Sequence, residues 1–237
     1  MRVSPWGRVV AISALLVVGG AVALAIGAFA STRERIVSYP VHGSLRGVAF
    51  DLADGGIVIV GGGRRDSVTV ERSERYAFGH DAESRRWVQD GVFRVRSRCP
   101  AALMGRCRVS YRVTVPDNLP VEVRTDSGSV RMSSYRGSAT LSTGSGDIQV
   151  AGFCGFSLDA RAGSGNVAAR TACAPPKLSL RANSGSVSAR VPPGTYDLDA
   201  ESASGEEHVR GVKATQESPF AITALSGSGD VTVEGSR

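Results

Sequence analysis

The chain has few of the residues from which catalytic and metal sites are built. Its 237 residues include three histidines, His42, His80 and His208, and none lies in a recognisable catalytic setting. No C-x-x-C pair, G-x-S-x-G nucleophile elbow or complete dinucleotide-binding loop is present. These absences predict a protein that is not an enzyme and that carries no cofactor and no metal ion.

Helical periodicity and aromatic residues are also scarce. No stretch after Ala30 spaces its apolar residues as a helix does, and aromatic residues make up 6% of the chain. We therefore expect an all-β protein. The basic stretches lack interleaved aromatic residues on which bases could stack, so nucleic acid is not expected as a partner.

Long apolar runs are absent except near the amino end. Residues 9–30 are uncharged and mainly apolar, and a helix of that length spans roughly 33 Å. Arg2 and Arg8 precede the run and predict a cytoplasmic amino terminus. The sequence Ala28-Phe29-Ala30 also fits a signal cleavage site, but the run is longer than cleaved signals usually are. We expect one transmembrane anchor over residues 1–30, or secretion after cleavage at Ala30, with the rest of the chain extracytoplasmic.

A Ser-Gly phrase recurs through the second half of the chain. It reads TGSGDIQV at residues 143–150, with copies at residues 125–132, 162–169, 182–189 and 226–233 and a degraded copy at 202–209. The aligned glycines recur about every 20 residues, at Gly128, Gly146, Gly165, Gly185, Gly205 and Gly229. Apolar residues alternate after each glycine, and a second alternating run follows in most repeats. The pattern predicts a single-stranded β-solenoid, or β-helix, of about 20-residue coils whose apolar stripes share one core.

The copy around Gly205 breaks the pattern. Glu207 stands where the other copies place a core residue. This predicts either a slip in strand register or a loop that bulges out at Glu206, Glu207 and His208.

The sequence divides into three parts. After the anchor, residues 31–47 are predicted to be a tether, and residues 48–237 a β-strand-repeat domain with regular coils from about residue 121. Residues 71–90 are charged and poorly periodic, which predicts a loop or an irregular outer strand. The charged first third of the domain is expected to cap one end of the solenoid, whereas nothing after Val233 is expected to cap the other.

Four cysteines outside the cytoplasm favour disulfide bonds over free thiols. Three pairings are possible. Cys99 and Cys107 flank a short loop between two predicted strands, which suits a local bridge. Cys154 and Cys173 are one repeat apart and could face each other across adjacent coils.

Positive charge is concentrated before the regular repeats. The formal net charge is +6, and residues 64–112 alone contain twelve arginines and six acidic residues. An exposed cluster there could contact anionic lipid or acidic wall polymers. The alternative is that these arginines keep exposed strand edges soluble. The candidate residues for an anionic-surface patch are Arg64, Arg65, Arg85, Arg86, Arg94, Arg96 and Arg98.

The repeats, together with the preceding Val113-Thr114-Val115-Pro116, resemble the bacterial putative-adhesin family of β-strand-repeat proteins, which are also called toast-rack domains. The resemblance covers about residues 48–235. It implies a β-solenoid at the envelope surface, and relatives occur beside envelope-stress systems. The fold by itself does not fix a ligand.

From these observations we expect a non-catalytic, membrane-anchored, extracytoplasmic β-solenoid with an adhesin-like binding or scaffolding role at the cell envelope. Its partners would be the membrane, through the amino-terminal helix, and a cell-wall polymer, an anionic lipid or another envelope protein. The first alternative is an envelope-stress accessory that acts on a membrane partner protein. A polysaccharide-active β-helix enzyme is the less favoured alternative, because the acidic residues are scattered.

Overall fold

The computed structural model describes residues 13–22, 33–76, 82–99 and 107–235. Residues 13–22 form a helix, and the remainder of the predicted 9–30 transmembrane segment lies outside the described residues. Within the parts of the chain that are described, no helix has the length and apolar character needed to cross a membrane. The rest of the described chain is built from strands and turns, so the all-β prediction is confirmed.

Twenty strands are described. In chain order they are β1 (Arg33–His42), β2 (Gly47–Asp54), β3 (Ile57–Gly63), β4 (Ser67–Tyr76), β5 (Glu83–Gln89), β6 (Val92–Arg98), β7 (Arg108–Pro116), β8 (Val121–Ser127), β9 (Val130–Ser133), β10 (Ser138–Ser145), β11 (Ile148–Phe153), β12 (Ser157–Ser164), β13 (Val167–Thr171), β14 (Lys177–Ser184), β15 (Val187–Val191), β16 (Gly194–Ser202), β17 (Glu207–Arg210), β18 (Val212–Ala214), β19 (Ala221–Ser226) and β20 (Val231–Gly235).

The strands form two ten-stranded sheets. The first, sheet A, has the order β1-β4-β7-β3-β9-β11-β13-β15-β20-β17, and the second, sheet B, has the order β18-β16-β19-β14-β12-β10-β8-β2-β6-β5. Each coil gives one strand to each sheet, and successive coils pair in parallel. This arrangement is consistent with the predicted solenoid of about 20-residue coils.

The core is a set of apolar columns between the two sheets. Parallel pairing in register places like positions of successive coils on top of one another. Burying one such side chain contributes about 1.5–3 kcal/mol. One column, in which every member is at most 1% exposed, consists of Val130, Ile148, Val167, Val187 and Val231.

The coils are not stacked in the order of the sequence. The last coil, β19–β20, lies between the β14–β15 coil and the β16–β17 coil. At the other end, the β2–β3 coil lies between the β6–β7 coil and the β8–β9 coil. At each end of the solenoid, therefore, the first or last coil of the sequence lies one position inward, and a different coil lies outside it.

This order explains the irregular repeat, and both sequence-based interpretations of it were wrong. Glu207 lies in β17, in register with Val231, so there is neither a slip nor a bulged loop. β17 is the outermost strand of sheet A, so its inward positions have no further strand beyond them to pack against. There the Glu207 carboxylate accepts a hydrogen bond of 2.8 Å from the Ser202 amide. The coil of β16 and β17 also caps the carboxyl end, where the sequence predicted no cap.

Part of the predicted tether is a strand of the domain. Residues 33–42 form β1, which pairs antiparallel with β4 over its whole length. The charged stretch 71–90 also contributes strand, as the end of β4 and all of β5, and residues 77–81 lie outside the described residues. Antiparallel β1, β4 and β5 close the amino end of the solenoid. These strands are difficult to recognise from the sequence because their outward residues are charged. An edge strand needs only one apolar face.

The repeated glycines form a column at the corner that joins each strand of sheet B to sheet A. A Cβ on Gly146, whose φ is +140°, would lie 2.4 Å from the carbonyl oxygen of Gly128. The glycine is therefore required both by its backbone conformation and by the close approach of the neighbouring coil. In spatial order the column contains Gly55, Gly128, Gly146, Gly165, Gly185, Gly229 and Gly205.

The polar residues after these glycines link successive coils. The Asn166 amide donates to Asp147 Oδ1 over 2.9 Å, and the Ser186 amide donates to Asn166 Oδ1 over 2.9 Å. On the inner side, Thr143 Oγ1 donates to the Gly128 carbonyl over 3.0 Å. The polar groups of the Ser-Gly phrase are thus engaged in hydrogen bonds within the fold. We call this edge of the solenoid the Ser-Gly corner.

Candidate binding groove

The opposite corner, which carries the chain from sheet A back to sheet B, is built from turns that do not repeat in sequence. A cleft of about 940 Å³ lies along it. Clefts of about 530 Å³ and 200 Å³ adjoin it and share some of its residues. We call the 940 Å³ cleft the turn groove. It is lined chiefly by Arg65, Pro116, Asp117, Asn118, Arg136, Phe156, Pro176 and Phe220.

Buried aromatic rings support the floor of this corner. Tyr135, in the turn after β9, and Phe153, at the end of β11, are fully buried, with ring centroids 6.3 Å apart. The Tyr135 hydroxyl donates to the carbonyl oxygen of Leu119. Burial, and then the negative charge of Asp117, raise the pKa of Tyr135 well above its usual value, so the hydroxyl stays protonated. A protonated hydroxyl can keep donating to the Leu119 carbonyl.

A glycine lets each turn pass over its neighbour. A Cβ on Gly155 would lie 2.0 Å from the Gly137 carbonyl oxygen and 2.8 Å from the Phe153 ring. The backbone of one turn therefore rests directly on the turn before it. This close stacking brings the side chains of successive turns into one continuous wall.

A disulfide bond fixes that wall. Cys154 and Cys173 are bonded, with their Cα atoms 5.1 Å apart, and they join the turns of two adjacent coils. Both residues line the turn groove. A closed loop of this size is expected to contribute about 3 kcal/mol to stability. The second pair, Cys99 and Cys107, is also bonded, and it closes the loop between β6 and β7.

Apolar and cationic groups meet in the turn groove. Phe156 is 64% exposed, which is unusual for a phenylalanine, and Phe220 is half-buried beside it in the same cleft. Arg65 and Arg136 are both exposed, and Asp117 is the one carboxylate among the lining residues. The groove therefore offers apolar contact and a net positive charge to an extended ligand.

The structure does not gather the seven predicted patch arginines into one surface. Four of them, Arg85, Arg94, Arg96 and Arg98, share the outer face of sheet B at its amino-end edge, because strand alternation puts paired residues on one side. The other three lie elsewhere, with Arg86 on the inner face of β5 and Arg64 and Arg65 in the turn after β3.

Arg86 has a structural contact. Its guanidinium lies 4.3 Å from the centre of the Tyr39 ring, so it closes the amino end of the core by joining sheet B to sheet A. Burial raises the pKa of Tyr39, and the hydrogen bond with Arg86 opposes this increase. Arg65 contributes to the turn groove instead.

The two histidines that the structure describes do not lie together. His42 ends β1 and is exposed, His208 lies 3.1 Å from the exposed Glu206, and His80 lies outside the described residues. Within residues 13–22, 33–76, 82–99 and 107–235, no three His, Cys, Asp or Glu side chains are grouped so as to hold a metal ion.

Sequence reasoning missed Phe156 and Arg136 because it followed the repeats. Phe156 continues the apolar alternation of Leu158 and Ala160, which predicts a strand, whereas it lies in the turn before β12. Phe156 is in phase with Leu158 and Ala160, so the alternation alone gave no signal that its side chain is exposed. A groove of this kind forms only when turns from different coils stack on one another, and the sequence of a single turn does not show which turns will be its neighbours.

Comparison with known proteins links the chain to one family and to solved structures. Residues 111–236 match the family model described as Toastrack DUF4097. The chain is similar to a putative cell adhesion protein from Clostridium sporogenes ATCC 15579, at 12% identity and a TM-score of 0.48, over 86% of this chain and 100% of that one. It is also similar to a putative adhesin from Bacteroides fragilis NCTC 9343, at 10% identity and a TM-score of 0.46, over 85% of this chain and 97% of that one.

No curated protein matches the chain. Identities and TM-scores as low as those of the two solved structures carry no information on what this chain binds. Its ligand chemistry has to be inferred from its own groove.

Proposed function

The chain belongs to the Toastrack DUF4097 family, and from this premise we propose that it is a membrane-anchored, extracytoplasmic, adhesin-like binding protein of the cell envelope. Its ligand is an extended anionic polymer that lies along the turn groove. The polymer's apolar groups cover Phe156 and Phe220, and its anionic groups pair with Arg65 and Arg136.

One observation carries the proposal, namely the exposed Phe156 in a cleft with two arginines. Phe156 and Phe220 together give the cleft apolar surface that a ligand can cover, beside polar groups that can orient it. Arginine binds carboxylate and phosphate groups with two parallel hydrogen bonds. A groove that follows successive coils also suits a ligand with repeated groups, since each coil repeats at the spacing of neighbouring strands, about 4.8 Å.

The groove is suited to binding rather than cleavage. Glycoside hydrolysis generally uses two carboxylates that flank the bond to be broken. Asp117 is the one carboxylate among the residues that line the 940 Å³ cleft. We therefore propose that the polymer is held and not processed.

Membrane anchoring is supported by the sequence of residues 9–30 and by the arginines before it. Residues 13–22 of this segment are helical. The position of Arg33, at the start of β1, leaves two residues between the apolar run and the domain. The solenoid would therefore stand directly on the outer surface of the membrane.

The proposal is tested by measuring binding of the detergent-solubilised full chain to a soluble anionic wall polymer, such as a teichoic acid, by calorimetry. The double variant Phe156→Ser/Arg136→Ser is expected to weaken binding about tenfold or more, because it removes one apolar contact and one charged contact. The matched control Val209→Ser/Arg131→Ser changes the same residue classes far from the groove and is expected to bind like the unmodified chain. Equal loss in both variants, or no binding by the unmodified chain to any anionic wall polymer, contradicts the proposal.

A further inference from the structure

The two ends of the solenoid carry opposite charge. Residues 83–98, which form β5 and β6 at the amino end, contain five arginines and two acidic residues. Residues 194–220, at the carboxyl end, contain six acidic residues against Arg210 and Lys213. The charge of the solenoid therefore differs between its two ends. The amino end is basic and the carboxyl end is acidic.

Like charges face each other at the basic end. Arg85 in β5 lies directly opposite Arg96 in β6, on the exposed outer face of sheet B. Directly opposed like charges weaken a strand pair unless an anion compensates them. Arg96 bonds Asp51 over 2.8 Å, while among the described residues Arg85, Arg94 and Arg98 have no carboxylate within ion-pair distance.

Large apolar side chains are exposed at the same end. Trp87 and Val88 in β5 are 37% and 55% exposed, and Ile36 in β1 is 62% exposed. β1 and β5 are the edge strands of the two sheets, and the contact of Arg86 with Tyr39 joins them across the end of the core. Exposed tryptophan and aliphatic residues beside arginines are typical of protein surfaces that sit at a membrane interface. Ile36 lies on the outer face of sheet A and Val88 on the inner side of β5, so the arginines share their surface with Trp87 alone. We call the outer face of β5 and β6 the amino-end face, defined by Arg85, Trp87, Arg96 and Arg98.

The chain itself places this face near the bilayer. Only residues 31 and 32 separate the apolar run from β1, and each extended residue adds at most about 3.6 Å. Electrostatic attraction to an anionic surface acts within roughly one Debye length, about 8 Å at physiological salt. The start of β1 is therefore held close to the membrane, and the basic face lies at the same end of the solenoid. An anionic surface attracts this face and repels the acidic carboxyl end.

From these observations we propose that the amino-end face docks on the anionic phospholipid headgroups of the anchoring membrane, with the outer face of sheet B turned toward the lipid at its amino-end edge. The inference rests on the proposed membrane anchoring. It adds a second binding surface, separate from the turn groove, whose ligand is a lipid surface rather than a polymer. Trp87 reaches the headgroup level, while Arg85, Arg96 and Arg98 pair with lipid phosphates.

Fluorescence of Trp87 tests this docking in the full chain. The chain contains two tryptophans, so Trp6→Phe leaves Trp87 as the reporter. The protein is reconstituted in vesicles whose acyl chains carry bromine, which quenches nearby tryptophan. We expect vesicles containing phosphatidylglycerol to quench Trp87 about twofold more strongly than pure phosphatidylcholine, and 1 M salt to remove the difference, because salt screens surface attraction.

Charge variants show which face makes the contact. Arg85→Ser/Arg96→Ser/Arg98→Ser is expected to abolish the extra quenching. The matched control, Arg124→Ser/Arg161→Ser/Arg181→Ser, removes three exposed arginines from the same sheet farther from the membrane and is expected to leave it unchanged. Quenching that does not depend on phosphatidylglycerol, or that both variants lose equally, overturns docking by this face.

Flotation separates this inference from the proposed function. A chain that fails to float with pure phosphatidylcholine vesicles lacks the proposed anchor. In that case salt-sensitive flotation with phosphatidylglycerol vesicles, lost in the Arg85/Arg96/Arg98 variant, still supports the amino-end face, and its absence overturns it. Polymer binding in the turn groove is measured on the same variants and is expected to be unaffected.

Discussion

The two corners of the solenoid come from the same coils but have different roles. At the Ser-Gly corner, glycine backbones stack and polar side chains bond to the next coil, so the repeated residues are fully used by the fold. At the opposite corner the turns differ in sequence and leave Phe156 and Arg136 exposed in a cleft. The comparison indicates that in this chain repetition marks structure, and departure from repetition marks the surface available for binding.

The largest expected effect distinguishes crowding from backbone conformation at the Ser-Gly corner. Gly146→Ala places a Cβ 2.4 Å from a backbone carbonyl oxygen at a φ of +140°, and we expect a loss of about 3 kcal/mol or more in the free energy of unfolding, or failure to fold. The control is Gly43→Ala, where φ is +133° but no atom lies within 4 Å. It should lose only about 1 kcal/mol, as measured by chemical denaturation. Similar losses at both positions would show that crowding does not matter.

The covalent link in the groove wall comes next. Cys154→Ser/Cys173→Ser should lower stability by about 2–3 kcal/mol, because it removes the closure of the loop between two turns. It should also weaken polymer binding, since both residues line the turn groove. Cys99→Ser/Cys107→Ser is the matched pair and should affect stability without affecting polymer binding. Loss of polymer binding in both would indicate general unfolding.

Alkaline pH tests the buried tyrosine beneath the groove. The pKa of Tyr135 is raised in the folded chain, so folding favours the protonated hydroxyl. Its contribution is fully present below the unfolded value of about 10 and is lost as pH rises from there toward the folded value. Thermal melting should therefore shift downward above about pH 10, and Tyr135→Phe should reduce that shift. An unchanged shift in the variant would mean that other groups cause it.

A smaller effect is expected from the side-chain bonds of the Ser-Gly corner. Asn166→Ala removes the acceptor for the Ser186 amide and should cost about 1 kcal/mol of unfolding free energy. Asn166→Ser keeps an acceptor without adding a carboxylate beside Asp147, as Ser186 does for the Asp230 amide, and should retain part of it. Denaturation midpoints of the two variants would distinguish the bond from mere side-chain size, and equal midpoints would contradict the assigned role.

The smallest effect on stability should accompany a clear effect on binding. Phe156→Ser alters an exposed side chain and should change the unfolding free energy by no more than about 0.5 kcal/mol. Polymer affinity should fall severalfold in the same variant. A variant that binds normally would remove Phe156 from the proposed site.

The repeats made the fold predictable because each copy has the same pattern of a glycine turn followed by alternating apolar residues. The valines after each Ser-Gly pair do line one column, and the glycines do lie where no Cβ fits. The position of the β19–β20 coil between β14–β15 and β16–β17 was not predictable. Nothing in the sequence around Gly185 indicates that its coil packs against the coil of Gly229 and not that of Gly205. The stacking order depends on contacts between residues far apart in the sequence. The one sign of it in the sequence was Glu207, which looked like an irregularity in the repeat.

The candidate site was less accessible to sequence reasoning. Composition located the basic stretch, but strand alternation divides it between two faces and a turn, as Arg85, Arg86 and Arg65 illustrate. The turn groove depends on five or more separate turns meeting at one corner. No single segment of the sequence contains enough of the groove to be recognised.

Hydrogen exchange of the full chain with and without a bound anionic wall polymer tests the difference between the two corners most directly. We predict that the polymer slows amide exchange in the turns at residues 134–137, 154–156 and 172–176, and leaves residues 145–147 and 164–166 at the Ser-Gly corner unchanged. Protection confined to the Ser-Gly corner, or equal at both corners, would contradict the assignment of binding to the turn groove.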